Sequence, residues 1–203
     1  MWRTDLAAKN VADAPASVEF ILHTASGEVR GSNLIAAGEQ GVFEDVVGSL
    51  GGNAKGALEI CSDRPLQVVS RIYNSSDEGT FGQFVDGFSG GGLVTGDIVK
   101  LIGLRQLTGA FRTNLSFTNA GTDEATVEVT LFSTDGTELT TYEQTIASGM
   151  VVQDVEPFRT RGNAPDMGWG YASVKVTAGR GVVTSASVVD MQTNDPTTIP
   201  MKR

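Results

Sequence analysis

Residues 2–28 align without a gap onto residues 111–137, and this internal repeat sets the terms for the fold. The first copy reads WRTDLAAKNVADAPASVEFILHTASGE and the second FRTNLSFTNAGTDEATVEVTLFSTDGT. Nine of the 27 aligned positions are identical, among them Arg3/Arg112, Leu6/Leu115, Asn10/Asn119, Val18/Val127 and Leu22/Leu131. The offset of 109 residues is the size of a domain, whereas solenoid repeats recur every ~20–50 residues. In a chain of 203 residues it implies two copies of one domain, over 1–92 and 93–203. Beyond Gly27 the copies drift. Ile35-Ala36-Ala37-Gly38 answers Ile146-Ala147-Ser148-Gly149 after a two-residue insertion, Asp45-Val46 is aligned with Asp154-Val155, and Ile72-Tyr73-Asn74 answers Val188-Val189-Asp190. The run Ser89-Gly90-Gly91-Gly92 marks the boundary as a flexible tip or hinge.

Within each copy the hydrophobic period is two. Val18, Phe20 and Leu22 alternate with Glu19, Ile21 and His23, and Val127, Val129 and Leu131 alternate with Glu128, Thr130 and Phe132. Such alternation sends one set of side chains to a core and the other outward. Ser26-Gly27 and Asp135-Gly136 fall where hairpins turn. Asn10–Ala14 and Asn119–Asp123 form a second turn, whose Asn and Asp side chains can bond local backbone. Further strands are expected at Ala57–Cys61, Leu66–Tyr73, Ile98–Arg105, Tyr171–Thr177 and Val182–Val189. Asp45–Leu50 is the helical candidate, with an acid placed to cap it, while Asp154–Asp166, with two prolines, reads as a loop. The fold class is therefore all-β, two immunoglobulin-like antiparallel sandwiches in tandem. One asymmetry stands out. A strand at Ile98–Leu107 precedes Phe111-Arg112-Thr113, but the first copy starts at Trp2, so the first domain is expected to lack its opening strand or to borrow one.

Composition narrows the function. Fifteen Lys and Arg against 24 Asp and Glu, a net charge of −9, argue against a nucleic-acid partner. One Cys excludes an intramolecular disulfide framework and, with one His, leaves little for a thiolate or multi-histidine metal site. No apolar run reaches the ~20 residues of a membrane helix. Trp2-Arg3-Thr4-Asp5 does not read as a signal peptide, so a secreted protein would carry its leader upstream or have lost it.

The segments WRTDL and FRTNL, GALEICSDRPLQVVSRIYN, GTFGQF, LIGLRQ, ASVVD and DPTTIP resemble a tandem β-sandwich module found near the C-termini of large secreted bacterial proteins. The resemblance implies an extracellular or cell-surface accessory region and identifies no catalytic or ligand residues. Its expected partners are neighbouring domains of a parent protein, or an extracellular protein or polysaccharide.

Candidate sites are few. Trp169, between glycines in Met167-Gly168-Trp169-Gly170-Tyr171, is the candidate for an exposed sugar-stacking platform, together with Tyr171. Asp190, Asn194 and Asp195 are oxygen donors that calcium could use, with Asn74, Asp77 and Glu78 at the corresponding place, although all are ordinary turn formers. Trp2 matches Phe111 and is expected in the core or at a domain junction. His23 and Cys61 sit on strands with Phe132 and Lys175 as counterparts, which favours strand-face roles over catalysis. The functional expectation is a non-catalytic spacer, adhesion or domain-presenting module. The alternatives are a carbohydrate-binding module centred on Trp169 and a hydrolase using carboxylates. Open sandwich edges also permit self-association.

Overall fold

The computed structural model describes residues 2–52, 54–77 and 79–203, and of Ser76 only the backbone. The chain divides into two compact units, one running to Phe88 and the other beginning at Ser89. All four sheets are antiparallel, two in each unit.

The first unit contains β1 (Trp2–Asn10), β2 (Ala16–Thr24), β3 (Gly27–Ile35), β4 (Gln40–Phe43), α1 (Val46–Gly51), β5 (Ala57–Ser62), β6 (Leu66–Ser76) and β7 (Gly79–Asp86). Its sheets run β4-β1-β6-β7 and β3-β2-β5. The second unit contains β8 (Leu93–Val94), β9 (Ile98–Gln106), β10 (Phe111–Asn119), β11 (Ala125–Ser133), β12 (Glu138–Ile146), β13 (Val151–Val155), α2 (Pro157–Thr160), β14 (Gly168–Ala178), β15 (Arg180–Asp190) and β16 (Pro196–Pro200). Its sheets run β13-β10-β15-β16 and β12-β11-β14-β9, with β8 also pairing with β15. Removing β8 and β9 leaves the strand order of the first unit, element for element. The register agrees as well. Trp2, Arg3 and Thr4 face Asn74, Tyr73 and Ile72, as Phe111, Arg112 and Thr113 face Asp190, Val189 and Val188.

Each unit is sandwich-like, since the inward residues of its two sheets share one core. Leu6, Ala8, Val18 and Phe20 meet in the first unit, and Leu115, Phe117, Val127, Val129 and Leu131 in the second. In β9, Val99, Leu101 and Leu104 are essentially unexposed and join that second core. Burying each contributes about 2 kcal/mol. Ile21 departs from the strict alternation. It lies on the outward side of β2 yet is buried, with Arg30 and Glu59 as its cross-strand neighbours.

The repeated Asn closes the turn after β1 and β10. Asn10 Nδ2 donates to the carbonyls of Ala14, Ile35 and Ala36 at 2.8, 3.1 and 3.1 Å, and its Oδ1 accepts the Ala12 N–H at 2.9 Å. Asn119 Nδ2 donates to Asp123 and Ile146 carbonyls at 2.8 and 3.0 Å, and its Oδ1 accepts the Gly121 N–H at 2.8 Å. Both side chains are fully buried, so these bonds satisfy backbone groups shut off from water. Gly181 adjoins the second clasp with φ near +80°, where a Cβ would stand 2.4 Å from the Gly121 nitrogen, so only glycine fits.

Three expectations need correction. Asp45 caps α1 with its own carboxylate, accepting the Gly48 N–H, but its counterpart is Glu156 and not Asp154. Leu6 faces Phe43 and Leu115 faces Asp154, so the two-residue insertion carries through this stretch and sets Asp154 against Phe43. Second, Asp154–Asp166 is not loop throughout. Pro157, with φ preset and no N–H to lose, opens the one-turn α2. Third, Trp2 is 61% exposed and is no core residue.

Candidate functional site

Trp169 and Tyr171 come together at the start of β14. Gly168 adopts φ near +80°, and a Cβ on Gly170 would lie 2.4 Å from the Phe132 carbonyl oxygen, so the two glycines let this segment hug β11. The pairing of β14 with β9 shifts register between Gly170 and Tyr171, a bulge that turns the local side chains. Trp169 faces Arg105 across the ladder, and the Arg105 guanidinium lies 4.5 Å from the indole and 3.6 Å from the Phe111 ring. The cation is thus held by two π faces. Thr134 Oγ1 donates to the Trp169 carbonyl at 3.0 Å. Tyr171 stacks on Phe132 with centroids 4.7 Å apart and planes 10° from parallel.

Ile102, Gly103, Thr134, Trp169, Gly170 and Tyr171 line an open depression of about 520 Å³. Trp169 remains 53% exposed there, although its ring is braced by Arg105. A flat, fixed and partly wet indole beside a phenol ring can stack on the apolar face of a sugar. The lining supplies ring and hydroxyl groups for binding and no acid or imidazole.

The oxygen donors are tied into turns. The Asp190 carboxylate accepts the N–H groups of Gln192 and Thr193, its own N–H donates to the Asp195 carbonyl, and the Asp195 N–H donates to Thr193 Oγ1. Asn194 takes the left-handed conformation of the same turn, with φ near +59°. Among the described residues, no group of three or more His, Cys, Asp and Glu is placed to hold a metal ion. In the corresponding segment of the first unit Glu78 lies outside the described residues.

His23 and Cys61 lie on the outward side of the sheet β3-β2-β5. His23 Nε2 is 2.9 Å from Glu59 and its Nδ1 3.3 Å from Glu28. Arg30 joins Glu28 to Glu19 at 2.7 and 2.9 Å, which holds the Glu28 carboxyl below its ordinary value. The Cys61 thiol donates to Glu59 at 3.4 Å. Partial desolvation first, then Glu59, push that thiol upward, which favours the neutral and unreactive form.

The sequence reading passed over a polar cluster in the second unit. Asp154, on β13, is buried and bound by Arg161 Nε at 2.7 Å, and that guanidinium lies 4.3 Å from the Tyr142 ring. The Tyr142 hydroxyl is buried without a hydrogen-bond partner among the described residues. Burial, and next the adjacent Asp154 carboxylate, push the phenol far above its ordinary value. Glu156, also buried, pairs with Arg159 at 2.5 Å, so both acids of this region are engaged by arginines. Register places Phe43 and Gly31 where Asp154 and Tyr142 stand, and the insertion carried through the helix sets Leu50 against Arg161. Leu50 indeed packs on Gly31. An apolar patch in the first unit thus corresponds to a charged one in the second. Arg161→Leu is expected to destabilise the second unit by about 2 kcal/mol, since it strands the Asp154 carboxylate, and the double change Asp154→Leu with Arg161→Leu should recover most of that loss. Urea unfolding of the three variants checks the coupling.

No family model matches the chain, and no curated protein matches it. Two solved structures of Bacteroides uniformis beta-glucuronidase, one titled as beta-glucuronidase 2 covalently bound to cyclophellitol-6-carboxylate aziridine, align with 97% of this chain at 12% identity and a TM-score of 0.18. The chain spans 23% of the length of each. A likeness that slight does not bear on activity.

Proposed function

We propose that the chain is a non-catalytic pair of immunoglobulin-like sandwiches, an extracellular or cell-surface accessory module of a larger secreted bacterial protein. It serves as a spacer, an adhesion unit or a mount for neighbouring domains. The observation that carries this reading is where the repeated residues go. Leu6/Leu115, Val18/Val127 and Leu22/Leu131 fill cores, and Asn10/Asn119 lock turns. What the two copies hold in common is a frame. The two-sheet plan of each unit supports the sandwich assignment. The test is incubation of the full chain with panels of chromogenic glycosides, esters and peptides. No turnover is expected. Turnover proportional to protein concentration, and lost in an Asp154→Asn or Glu156→Gln variant that still folds, would replace this reading with a carboxylate hydrolase.

A specific observation favours a second reading, a carbohydrate contact. Trp169 is exposed, braced by Arg105 and flanked by Tyr171 over an open depression. Trp169→Ala is expected to weaken retention on an immobilised polysaccharide panel by roughly tenfold, the scale of one lost stacking contact. Affinity electrophoresis with and without each polysaccharide measures it, and equal retention of parent and variant would discard the platform.

A further inference from the structure

The outward face of the sheet β12-β11-β14-β9 is divided by charge. Its acids, Glu128 on β11 and Glu138 and Glu143 on β12, lie on one half, with Glu128 opposite Glu143 in the ladder. Strands β9 and β14 contain no acid. Their charged residues are Lys100, Arg105 and Lys175, all basic, in a chain of net charge −9. Lys175 stands opposite Glu128, at the border of the acidic half. Lys100 and Arg105 stand opposite Ser173 and Trp169, and Tyr171 lies between them, opposite Ile102. The depression at Trp169 is thus one end of a strip that is basic and aromatic together.

Arg105 is the telling member of this strip. Arg30, Arg159 and Arg161 each hold a carboxylate. Arg105 is half-buried and, among the described residues, holds none. Its guanidinium lies against Phe111 and Trp169, and its Nε is buried without a hydrogen-bond partner. A guanidinium carries its five N–H donors in its own plane, and contact with rings gives those donors no acceptor oxygen. The acids nearest the depression in sequence are committed to their own loops. Asp166 accepts the Thr108 N–H at 2.9 Å, and Asp135 accepts the Ser133 hydroxyl and the Thr137 N–H. A cation kept partly from water without a counter-charge is costly to hold, and an oxyanion would relieve that cost. At the other end of the strip Lys100 Nζ donates to Ser173 Oγ at 2.8 Å and lies 5.7 Å from Phe132, the ring on which Tyr171 stacks. Its ammonium has further donors to give.

Building on the carbohydrate contact at Trp169, we propose that the ligand of this strip is an acidic polysaccharide, whose sugar rings lie on Trp169 and Tyr171 while its carboxylate or sulfate groups meet Arg105 and Lys100. From Trp169 to Ser173 is four residues of β14, about 13 Å at ~3.3 Å per residue. That exceeds one sugar ring, so the strip suits a chain better than a monosaccharide. The indole and phenol supply stacking, which neutral and acidic sugars share. The two cations supply the preference, because a charged group set between them gains what a neutral ring does not. Charge also argues against a nucleic acid as occupant. Binding a phosphate backbone takes a dense field of Lys and Arg, and here the acids of β11 and β12 share the same face.

The test is affinity electrophoresis of the full chain in gels holding polygalacturonate, its fully methyl-esterified and so neutral form, dextran sulfate, or dextran, with a single-stranded DNA oligonucleotide as a further arm. Polygalacturonate or dextran sulfate is expected to retard the chain at least about tenfold more strongly than its neutral counterpart, and the tighter of the two names the acid. Retardation is expected to fall as salt rises from about 0.05 to 0.5 M, where charges are increasingly screened. Lys100→Gln and Arg105→Gln should each weaken binding to the acidic polymer by roughly fivefold or more, and Arg105→Lys should recover part of that loss. Lys100 is exposed, so its variant and the salt series decide the matter even if Arg105→Gln unfolds. Retention on neutral and acidic polymers alike, lost in Trp169→Ala but kept in Lys100→Gln, would overturn the proposal and leave the carbohydrate contact standing. Retention on none of the four polymers would remove both. Tighter binding of the oligonucleotide than of either acidic polymer would also overturn it, in favour of a nucleic-acid surface.

Discussion

Asn119→Ala is expected to destabilise the second unit by about 4 kcal/mol. The side chain is fully buried, and it bridges the Asp123 and Ile146 carbonyls and the Gly121 N–H. Alanine fills the space near Cβ but answers none of the three groups. Each polar group left unpaired away from water costs about 1–3 kcal/mol, and the costs overlap because the turn can relax. Asn119→Asp should be nearly as damaging at neutral pH, since it keeps the acceptor, loses both donors and buries a charge. Asn10→Ala should act in the same way on the first unit, where Asn10 donates to three carbonyls. Urea unfolding followed by tryptophan fluorescence reads both, because Trp2 and Trp169 lie in different units. A loss of less than 1 kcal/mol at Asn119 would mean that the clasp is ornamental.

Leu101→Ala is expected to cost the second unit about 3 kcal/mol. Leu101 is unexposed, lies in β9 opposite Ala172 and belongs to the main core of its unit. Truncation there opens a cavity lined by β-strand side chains that cannot all move inward. The first unit supplies the comparison. Leu58→Ala, on the half-buried inner face of β5, should cost less than half as much, because water already reaches one side of that residue. Equal losses at the two sites would show that the β5 edge is as well covered as β14.

Much of this fold was legible because the chain states it twice. An alternating stretch such as Val18–Leu22 is ambiguous alone, but not when Val127–Leu131 repeats it with the same turn residues around it. The strands at Ala57, Leu66, Ile98, Tyr171 and Val182 were readable from β-branched and aromatic runs. β3 and β12 were not. Gly27–Ile35 and Glu138–Ile146 face water over much of their length and carry polar residues on both sides, so period two does not show. β16, bounded by prolines, becomes an edge strand through its pairing with β15.

The candidate site divides in the same way. Trp169 was visible because glycines on either side leave a large ring little local cover. Its bracing by Arg105 was not visible, since the pairing that brings β9 alongside β14 spans more than sixty residues of sequence. The Asp154–Arg161–Tyr142 cluster stays hidden while the two-residue insertion is not carried as far as Asp154. With Asp154 set against Asp45 it looked like a matched acid. Set against Phe43, it is an acid in an apolar position, which is a signal that a polar cluster waits inside.

The turn clasps also fix how these units respond to acid. Surface pairs such as Glu28–Arg30 weaken as their carboxylates take up protons, and Glu28, whose carboxyl is held low, gives up its contribution as the pH falls through that lowered value. A carboxamide has no proton to gain in that range. Because Asn10 and Asn119, and not aspartates, hold the two turns, these two buried fastenings are electrically silent. Acidification strips the outside of the protein of its charge pairs and leaves its joints shut.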